Sequence, residues 1–143
     1  DILASILFSQ LESELDIKKM RSNVTKSYSL FFEKNIHYPI QTISFPESCN
    51  VNHHAYWIIF DNIKNKDSFL SNLKSYNVHA YIGYTPLHSS PMGLKLGYQE
   101  NDLPITFDLG NRIVRLPFYN ELQGEKMTYC IDSIQKVLKM IYD

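Results

Sequence analysis

One proline-rich loop gathers the side chains in this sequence that are best suited to binding a polar ligand. The stretch GYTPLHSSP, residues 83–91, holds Tyr84, His88 and two serines directly behind an apolar run. Phenol, imidazole and hydroxyl groups donate and accept hydrogen bonds, and loops at strand ends often carry binding residues. The two prolines also favour turns. From the residues alone, a binding loop and an ordinary turn are both consistent with this stretch.

The usual patterns for other chemistries do not occur in the sequence. Its five histidines include no H-x-x-x-H or H-E-x-x-H spacing, so we expect no metal site. It also has no G-x-G-x-x-G, no P-loop and no G-x-S-x-G motif. The carboxylates are scattered singly, and we expect them to be solvated charges or helix caps: Glu47, Asp61, Asp67, Glu100, Asp102 and Asp108.

The composition indicates one domain with a substantial hydrophobic core and no strong overall electrostatic field. Of 143 residues, 44% are hydrophobic, and the formal net charge is −1. This argues against a nucleic-acid partner, which usually needs a basic patch. No apolar run reaches the roughly 20 residues that cross a bilayer, so we expect no membrane partner either. Cys49 and Cys130 lack zinc-site spacing and are expected to be reduced, partly buried thiols of a cytosolic protein.

A long helix is predicted over residues 2–34. Its first apolar stripe runs from Leu3 to Leu15 in steps of four, and a second begins at Met20 and reaches Phe32. The change of phase between Leu15 and Met20 predicts a bend or two helices there. A helix of this length usually connects two parts of a larger molecule. Because the sequence opens within the helical pattern, we expect it to be part of a longer chain.

Three strands are predicted behind this helix, where aromatic and β-branched residues concentrate. They cover residues 55–60, 78–84 and 113–116, and residues 35–53 are predicted to be irregular. The alternation of strands with helical segments gives an α/β fold of the α+β type, with helices packed on a small sheet. Tyr56 and Trp57, within the first strand, are predicted to be core residues.

Three shorter helices are predicted between and after the strands. The first is marked by the apolar positions Phe69, Leu70, Leu73 and Tyr76, with Asn65 as its N-cap and Asn77 as its C-terminal stop. The second starts at Pro104, which suits a first helical turn, and runs through Asn111. The last has an apolar face from Met127 to Ile141.

Several blocks of the sequence resemble one enzyme family. GYTPLHSSPMGLKLGY, residues 83–98, resembles the H-Y-x-P-L-H-x-x-P-x-G block of sugar-nucleotide aminotransferases that use pyridoxal phosphate (PLP). DLPITFDLGNRIVRLPFYNEL, residues 102–122, resembles their closing block, and DILASILFSQLE, residues 1–12, the helix that opens their C-terminal region. Cys49, Asn52 and His54 match a C-x-x-N-x-H segment of one subgroup, the dTDP-4-amino-4,6-dideoxygalactose transaminases.

The resemblance implies a place for this sequence within a larger enzyme. The family has the fold-type I architecture and works as a homodimer. Residues 1–35 would be its long linking helix, and residues 36–143 its small C-terminal domain with a three-stranded, mainly antiparallel sheet. The large PLP-binding domain, with the Schiff-base lysine, would lie outside this sequence. The resemblance therefore implies no catalytic and no cofactor-binding residue here, and the isolated chain is expected to be inactive.

The resemblance also implies a reaction for the complete cytoplasmic enzyme. An amino group would pass from L-glutamate, through PLP, to the C4 ketone of dTDP-4-keto-6-deoxyglucose, for lipopolysaccharide or enterobacterial common antigen synthesis. A C3-specific aminotransferase and a non-catalytic ligand-binding or interaction module of α/β fold are the alternatives.

Four residues are implied to contact the substrate: Tyr84, His88, Arg115 and Asn52. Tyr84 and His88 match the family's Y-x-P-L-H and can hydrogen-bond sugar or phosphate oxygens. Each candidate has a structural alternative: His88 can cap the turn, Arg115 can pair with Asp108, and Asn52 can make a structural hydrogen bond. Gly83 stands where the family usually has histidine, which leaves the exact sugar open.

Overall fold

The computed structural model describes residues 2–46 and 48–143. Asp1, where the predicted linking helix begins, and Glu47, one of the scattered carboxylates, lie outside the described residues. Within the described chain, six helices surround a four-stranded sheet; along the chain, two helices are followed by two strands, a helix, a strand, two helices, a strand and a last helix. The predicted α/β class is confirmed, with one strand more than expected.

The long helical region forms two helices. Helix α1 spans Ile2–Glu12 and α2 spans Glu14–Lys34, with the break at Ser13. Two helices were one of the predicted outcomes, but the break comes before the predicted interval between Leu15 and Met20. The interruption at Ser13 is local, so the apolar stripe from Leu3 to Leu15 continues across it in phase. The second stripe is buried along α2, whereas α1 buries none of its residues. Among the described helices, none is both long and apolar enough to cross a bilayer.

The sheet is antiparallel throughout, in the order β1-β2-β4-β3. Its strands are β1 (Gln41–Thr42), β2 (Trp57–Ile59), β3 (Tyr81–Ile82) and β4 (Ile113–Arg115). Strand β1 falls in the region predicted to be irregular. It is a two-residue polar edge strand with both residues exposed, so no apolar alternation marks it. The other three strands form inside their predicted ranges but are shorter.

Helix α3 spans Ile63–Ser75 and is capped at both ends. Asn62 is the N-cap and accepts the amide hydrogen of Asn65 at 2.8 Å; the prediction of Asn65 as N-cap was therefore wrong by one turn. Asn77 was predicted to stop the helix and does so with φ of 56°. The Asn77 amide donates to Lys74 O and the Val78 amide to Leu73 O, which is the Schellman pattern.

Helices α2, α3 and α6 cover the inner face of the sheet. Besides α3, the remaining helices are α4 (Pro91–Lys95), α5 (Pro104–Arg112) and α6 (Glu125–Tyr142). The core is rich in aromatic rings, and its fully buried large side chains include Tyr28, Tyr56, Phe60, Phe69, Ile58 and Leu138.

A buried hydroxyl ties α2 to the end of the sheet. The Tyr28 hydroxyl donates to Pro117 O at 2.8 Å and lies 3.4 Å from the Cys130 sulfur. Burial raises the pKa of both Tyr28 and Cys130. Both cysteines are unpaired as predicted, but Cys49 is exposed rather than partly buried.

The end of α6 is fastened to the start of α3 through one carboxylate. The Tyr142 hydroxyl donates to Asp61 Oδ1 at 2.8 Å, and the side-chain amide nitrogen of Asn65, Nδ2, donates to both Asp61 oxygens at 3.0 and 3.1 Å. Burial by itself would raise the pKa of Asp61, but these hydrogen bonds outweigh it and hold the pKa below its ordinary value. The ionised form of Asp61 is therefore the one that stabilises the fold.

We expect Tyr142→Phe to destabilise the protein in a pH-dependent way. At pH 7 the free energy of unfolding should fall by about 0.5–1 kcal/mol, a charged hydrogen bond discounted for the exposure of Asp61. A carboxyl with a depressed folded pKa stabilises above its unfolded pKa of about 4, and this stabilisation is lost as pH falls through the folded pKa. Urea unfolding at pH 7 and below pH 3 should therefore show the difference shrinking in acid.

Tyr129→Phe is the matched control. The Tyr129 hydroxyl donates to the neutral backbone carbonyl of Tyr76 at 2.9 Å, so its removal should have the same effect at both pH values. An effect of Tyr142→Phe that is equally large at both pH values would contradict the assigned role of Asp61.

Candidate functional site

The outer face of the sheet carries the residues that form the main candidate site. Strand pairing sets Trp57 on β2 directly opposite Arg115 on β4, and paired residues of an antiparallel sheet lie on the same face. Tyr84 follows β3, and its ring centroid lies 5.3 Å from the Arg115 guanidinium carbon. These three side chains, with the Gly83–Leu87 segment and α5, line a groove of about 530 Å³, here called the Tyr84 groove.

The Tyr84 groove combines aromatic faces with one cation. Among the described residues that line it, Arg115 is the only charged one, and Thr85 and Thr106 add hydroxyls. A guanidinium presents several donors in a fixed fork and suits phosphate or carboxylate oxygens. Trp57 and Tyr84 offer flat surfaces on which a planar or apolar group can pack. The groove therefore suits an anion joined to a partly apolar body.

Arg115 does not pair with Asp108, which was the structural alternative to a binding role. Asp108 is instead held by Arg112, four residues further along the chain, whose Nε donates to Asp108 Oδ1 at 3.0 Å. This hydrogen bond lowers the pKa of Asp108. Arg112 also donates to Phe60 O, so it joins α5 to the end of β2. Because Arg112 satisfies Asp108, the Arg115 guanidinium remains directed to the Tyr84 ring.

Trp57 was predicted to be a core residue, and that prediction was wrong. Tyr56, Ile58 and Phe60 are buried on the inner face, whereas Trp57 and Ile59 are half-buried on the outer face. The run AYWIIF is apolar on both faces, which predicts a strand covered on both sides. The two-residue period groups Trp57 with Ile59 and separates both from Ile58, but it does not show which of the two faces is open.

His88 lies outside the Tyr84 groove and is 5% exposed. Its Nε2 donates to Glu100 O at 3.2 Å, and its ring meets the Phe107 ring edge-on, with centroids 6.4 Å apart. Among the described residues, His88 Nδ1 has no hydrogen-bond partner. His88 lines a separate cavity of about 440 Å³ with Tyr98 and Leu103. Its predicted contact with substrate stays a prediction. In the structure, its hydrogen bond joins the turn that contains His88 to the turn at Glu100.

The serines of the loop make turn and cap hydrogen bonds. Ser90 is the N-cap of α4: its hydroxyl accepts the Gly93 amide hydrogen at 3.1 Å and donates to Leu87 O at 2.7 Å. The Ser89 hydroxyl donates to Pro86 O at 3.2 Å. For these two residues, turn formation accounts for the sequence pattern.

Asn52 is exposed and lies in a different recess of the surface. Its Oδ1 lies 3.1 Å from Nδ1 of His54, and the recess is formed by the segment from Cys49 to Ala55 with Ile43 and Phe45. The neighbouring His53 has φ of 50° and its Nδ1 lies 3.1 Å from Thr25 Oγ1. The structure thus brings Tyr84 and Arg115 together and places neither His88 nor Asn52 with them.

No group of three or more His, Cys, Asp or Glu side chains is arranged to hold a metal ion within residues 2–46 and 48–143.

Comparison with known proteins gives one family match. The model of the DegT/DnrJ/EryC1/StrS aminotransferase family matches residues 1–135. GDP-perosamine synthase of Escherichia coli O157:H7 is 28% identical over 139 residues, which cover 95% of this chain and 35% of that protein. The chain spans about a third of the length of the curated relatives it matches, 36% and 35% of two of them.

Two solved structures share the fold at lower sequence identity. A Streptococcus pneumoniae protein in its PLP form gives a TM-score of 0.89 at 18% identity and covers 100% of this chain and 36% of that one. Helicobacter pylori PseC, an aminotransferase involved in the biosynthesis of pseudoaminic acid, gives a TM-score of 0.82 at 18% identity, over 93% of this chain and 36% of its own.

Proposed function

Because this chain belongs to the DegT/DnrJ/EryC1/StrS aminotransferase family, we propose that it forms the C-terminal part of a PLP-dependent sugar aminotransferase. In this proposal the complete enzyme aminates a keto sugar linked to a nucleotide. The Tyr84 groove faces the sugar nucleotide and holds its diphosphate through Arg115.

The observation that carries the proposal is the pairing of Tyr84 with Arg115 beside Trp57. A nucleotide sugar joins a planar base and a ring with apolar faces through a diphosphate of two negative charges. The groove offers a cation 5.3 Å from one aromatic ring and directly opposite a second on the sheet. Tyr84 is 84% exposed, so its ring is available to a ligand without rearrangement of the core.

The residues of the groove do not fit PLP itself. PLP needs a lysine amine for its aldehyde and an acidic partner for its pyridine nitrogen, and the groove lining described here contains neither lysine nor carboxylate. We therefore assign no step of the cofactor chemistry to this chain and place the PLP site in the rest of the enzyme. PLP, when bound there, supplies the electron sink for amino transfer.

The work left to this chain is binding, orientation and exclusion of water. Arg115 would neutralise phosphate charge, and Tyr84 and Trp57 would pack against the sugar or base. Leu109 and Ile113, which are half-buried in the groove wall, would keep water from the bound edge of the ligand. These contacts position a ketone for attack without taking part in bond formation.

For the finer reaction we propose L-glutamate as amino donor and the C4 ketone of dTDP-4-keto-6-deoxyglucose as acceptor, in lipopolysaccharide or cell-surface polysaccharide synthesis. The subgroup resemblance of Cys49, Asn52 and His54 supports this choice, and the named relatives act in the synthesis of other sugars, GDP-perosamine and pseudoaminic acid. We propose a cytoplasmic homodimer. Amination at C3 is the alternative within the enzyme class, and a non-catalytic binding module is the alternative outside it.

Arg115→Met in the full-length enzyme tests the proposal. Methionine keeps an unbranched apolar stem and removes the guanidinium, so the charged hydrogen bonds to phosphate are lost, about 1.5–3 kcal/mol. We expect KM for the keto sugar nucleotide to rise about tenfold to a hundredfold. The half-reaction with L-glutamate, followed separately, should keep its rate, because in this proposal Arg115 binds the diphosphate of the sugar nucleotide and does not contact the carboxylates of glutamate.

Lys26→Met makes the same charge change on the exposed face of α2 and is the control. It should leave both half-reactions unchanged. Equal losses in the two half-reactions of Arg115→Met, or no loss in either, would remove the Tyr84 groove from sugar-nucleotide binding. Running the assay with C4-keto and C3-keto dTDP sugars decides between the two positions of amination.

A further inference from the structure

Gly83 packs directly against the Ile113 side chain of β4. A Cβ atom added at Gly83 would lie 2.7 Å from Cγ2 of Ile113, well inside the contact distance of two carbon atoms. Ile113 therefore occupies the space that a side chain at position 83 would need. A side chain at position 83 would therefore require Ile113 or the loop to shift.

Gly110, on α5, makes a second close approach, to Pro86, which lies three residues after Gly83 in the loop. A Cβ added at Gly110 would lie 2.5 Å from Cγ and 3.0 Å from Cδ of Pro86. Gly110 is on α5, so this contact presses the loop against the helix. Gly83 and Pro86 flank Tyr84, and they are held by two different elements, β4 and α5.

Other anchors for Tyr84 are few. Tyr84 is 84% exposed, Thr85 is exposed, and α5 contains no buried residue. Within the described part of the chain, neither Tyr84 nor Thr85 makes a hydrogen bond; the one interaction assigned to Tyr84 is its ring contact with Arg115. Burial and hydrogen bonding therefore do not fix Tyr84 and Thr85 themselves. The close approaches at Gly83 and at Pro86, whose carbonyl also accepts hydrogen bonds from Ser89, hold this pair from both sides.

We infer that Gly83 and Gly110 are positioning residues for the Tyr84–Arg115 pair. By letting the loop lie flush on β4 and α5, they hold the Tyr84 ring over the guanidinium, and the ring in turn holds Arg115 toward the groove. The inference rests on the proposed function for its consequence in substrate binding. The positions of Tyr84 and Arg115 are properties of this chain alone and do not depend on the proposed function.

A set of reciprocal substitutions in the full-length enzyme tests the inference. Gly110→Ala and Gly83→Ala should each weaken the binding of dTDP about fivefold to tenfold, as measured by titration calorimetry. This loss corresponds to one cation–π contact and part of a phosphate contact. Pro86→Ala removes the ring atoms that oppose position 110, and Ile113→Ala removes the methyl that opposes position 83. Each should therefore rescue its own partner.

The mismatched pairs are the control. Gly110→Ala with Ile113→Ala, and Gly83→Ala with Pro86→Ala, should show additive losses, with Pro86→Ala and Ile113→Ala alone as baselines. If a single variant fails to fold, its matched double variant carries the test and should bind dTDP as tightly as the baseline variant. Additive losses in the matched pairs, or a matched double variant that binds more weakly than its baseline, would overturn the inference.

Crystal structures of the two glycine variants separate this inference from the proposed function. We expect the Tyr84 ring to move more than about 6 Å from the guanidinium carbon, beyond cation–π range. If the ring moves but Arg115→Met binds dTDP as tightly as the parent enzyme, the proposed function fails and the positioning role stands. If the ring stays in place in both variants, the positioning role is wrong.

Discussion

Replacing Phe69 by alanine is expected to lower the free energy of unfolding by about 3–5 kcal/mol, the range for phenylalanine in a core. Phe69 is 0% exposed, and its ring centroid lies 5.0 Å from that of Phe60 at the end of the sheet. Phe69 and Leu73 are the two buried residues of α3. Removing the ring therefore takes away a large share of the contact between α3 and the sheet and leaves a cavity beneath β2.

Urea unfolding of the Phe69→Ala protein at neutral pH measures this effect. Leu30→Ala serves as the control, because Leu30 is 56% exposed on α2 and surface substitutions usually change stability by less than about 0.5 kcal/mol. A loss below about 1 kcal/mol for Phe69→Ala would mean that α3 is held mainly by its capped ends and not by its buried face.

Gly93→Ala is expected to give the second large effect, at or above the usual 1–3 kcal/mol for overpacking. A Cβ at Gly93 would overlap sterically with the carbonyl oxygens of Leu87 and His88 and would lie 2.7 Å from the His88 carbonyl carbon. These are backbone atoms of the turn Leu87–Ser89, so no side chain can rotate away. Either α4 or the turn must move, and the turn carries His88 and its hydrogen bond to Glu100.

Thermal unfolding of Gly93→Ala, compared with that of Leu94→Ala, measures this effect. Leu94 is the next residue of α4 and is 51% exposed, so its truncation changes the same helix without approaching the turn. We expect the melting temperature to fall for Gly93→Ala and to change little for Leu94→Ala. Equal melting temperatures for Gly93→Ala and the parent protein would show that α4 can shift without loss.

The helices of the core were predictable because their signals are periodic and local. The apolar spacing along α2 and α6 corresponds to faces that are buried, and Asn77 ends α3 because asparagine tolerates a positive φ. Ser13 could not be located as a break, since the apolar stripe passes it in phase. Asn62 and Asn65 are both competent caps by residue type, and the choice between them depends on where the chain leaves β2.

The candidate site was predictable only in part, because its geometry depends on contacts between distant segments. Tyr84 and Arg115 were both proposed from the sequence, and strand pairing brings them together. Trp57 could not be assigned to the site, since an apolar strand gives no sign of which face is open. The burial of His88 depends on the turn at Glu100, twelve residues later, and no local pattern encodes that distance.

The shortness of the outer strands has a consequence for how the protein behaves at high concentration. An unpaired strand edge offers backbone donors and acceptors to which another chain can add a strand, and long apolar edges are common starting points of aggregation. Here both outer strands, β1 and β3, are two residues long. Each exposes too few backbone groups to guide an incoming strand into register. The brevity that hid β1 from the sequence patterns thus also disfavours edge-to-edge pairing of this sheet with another chain.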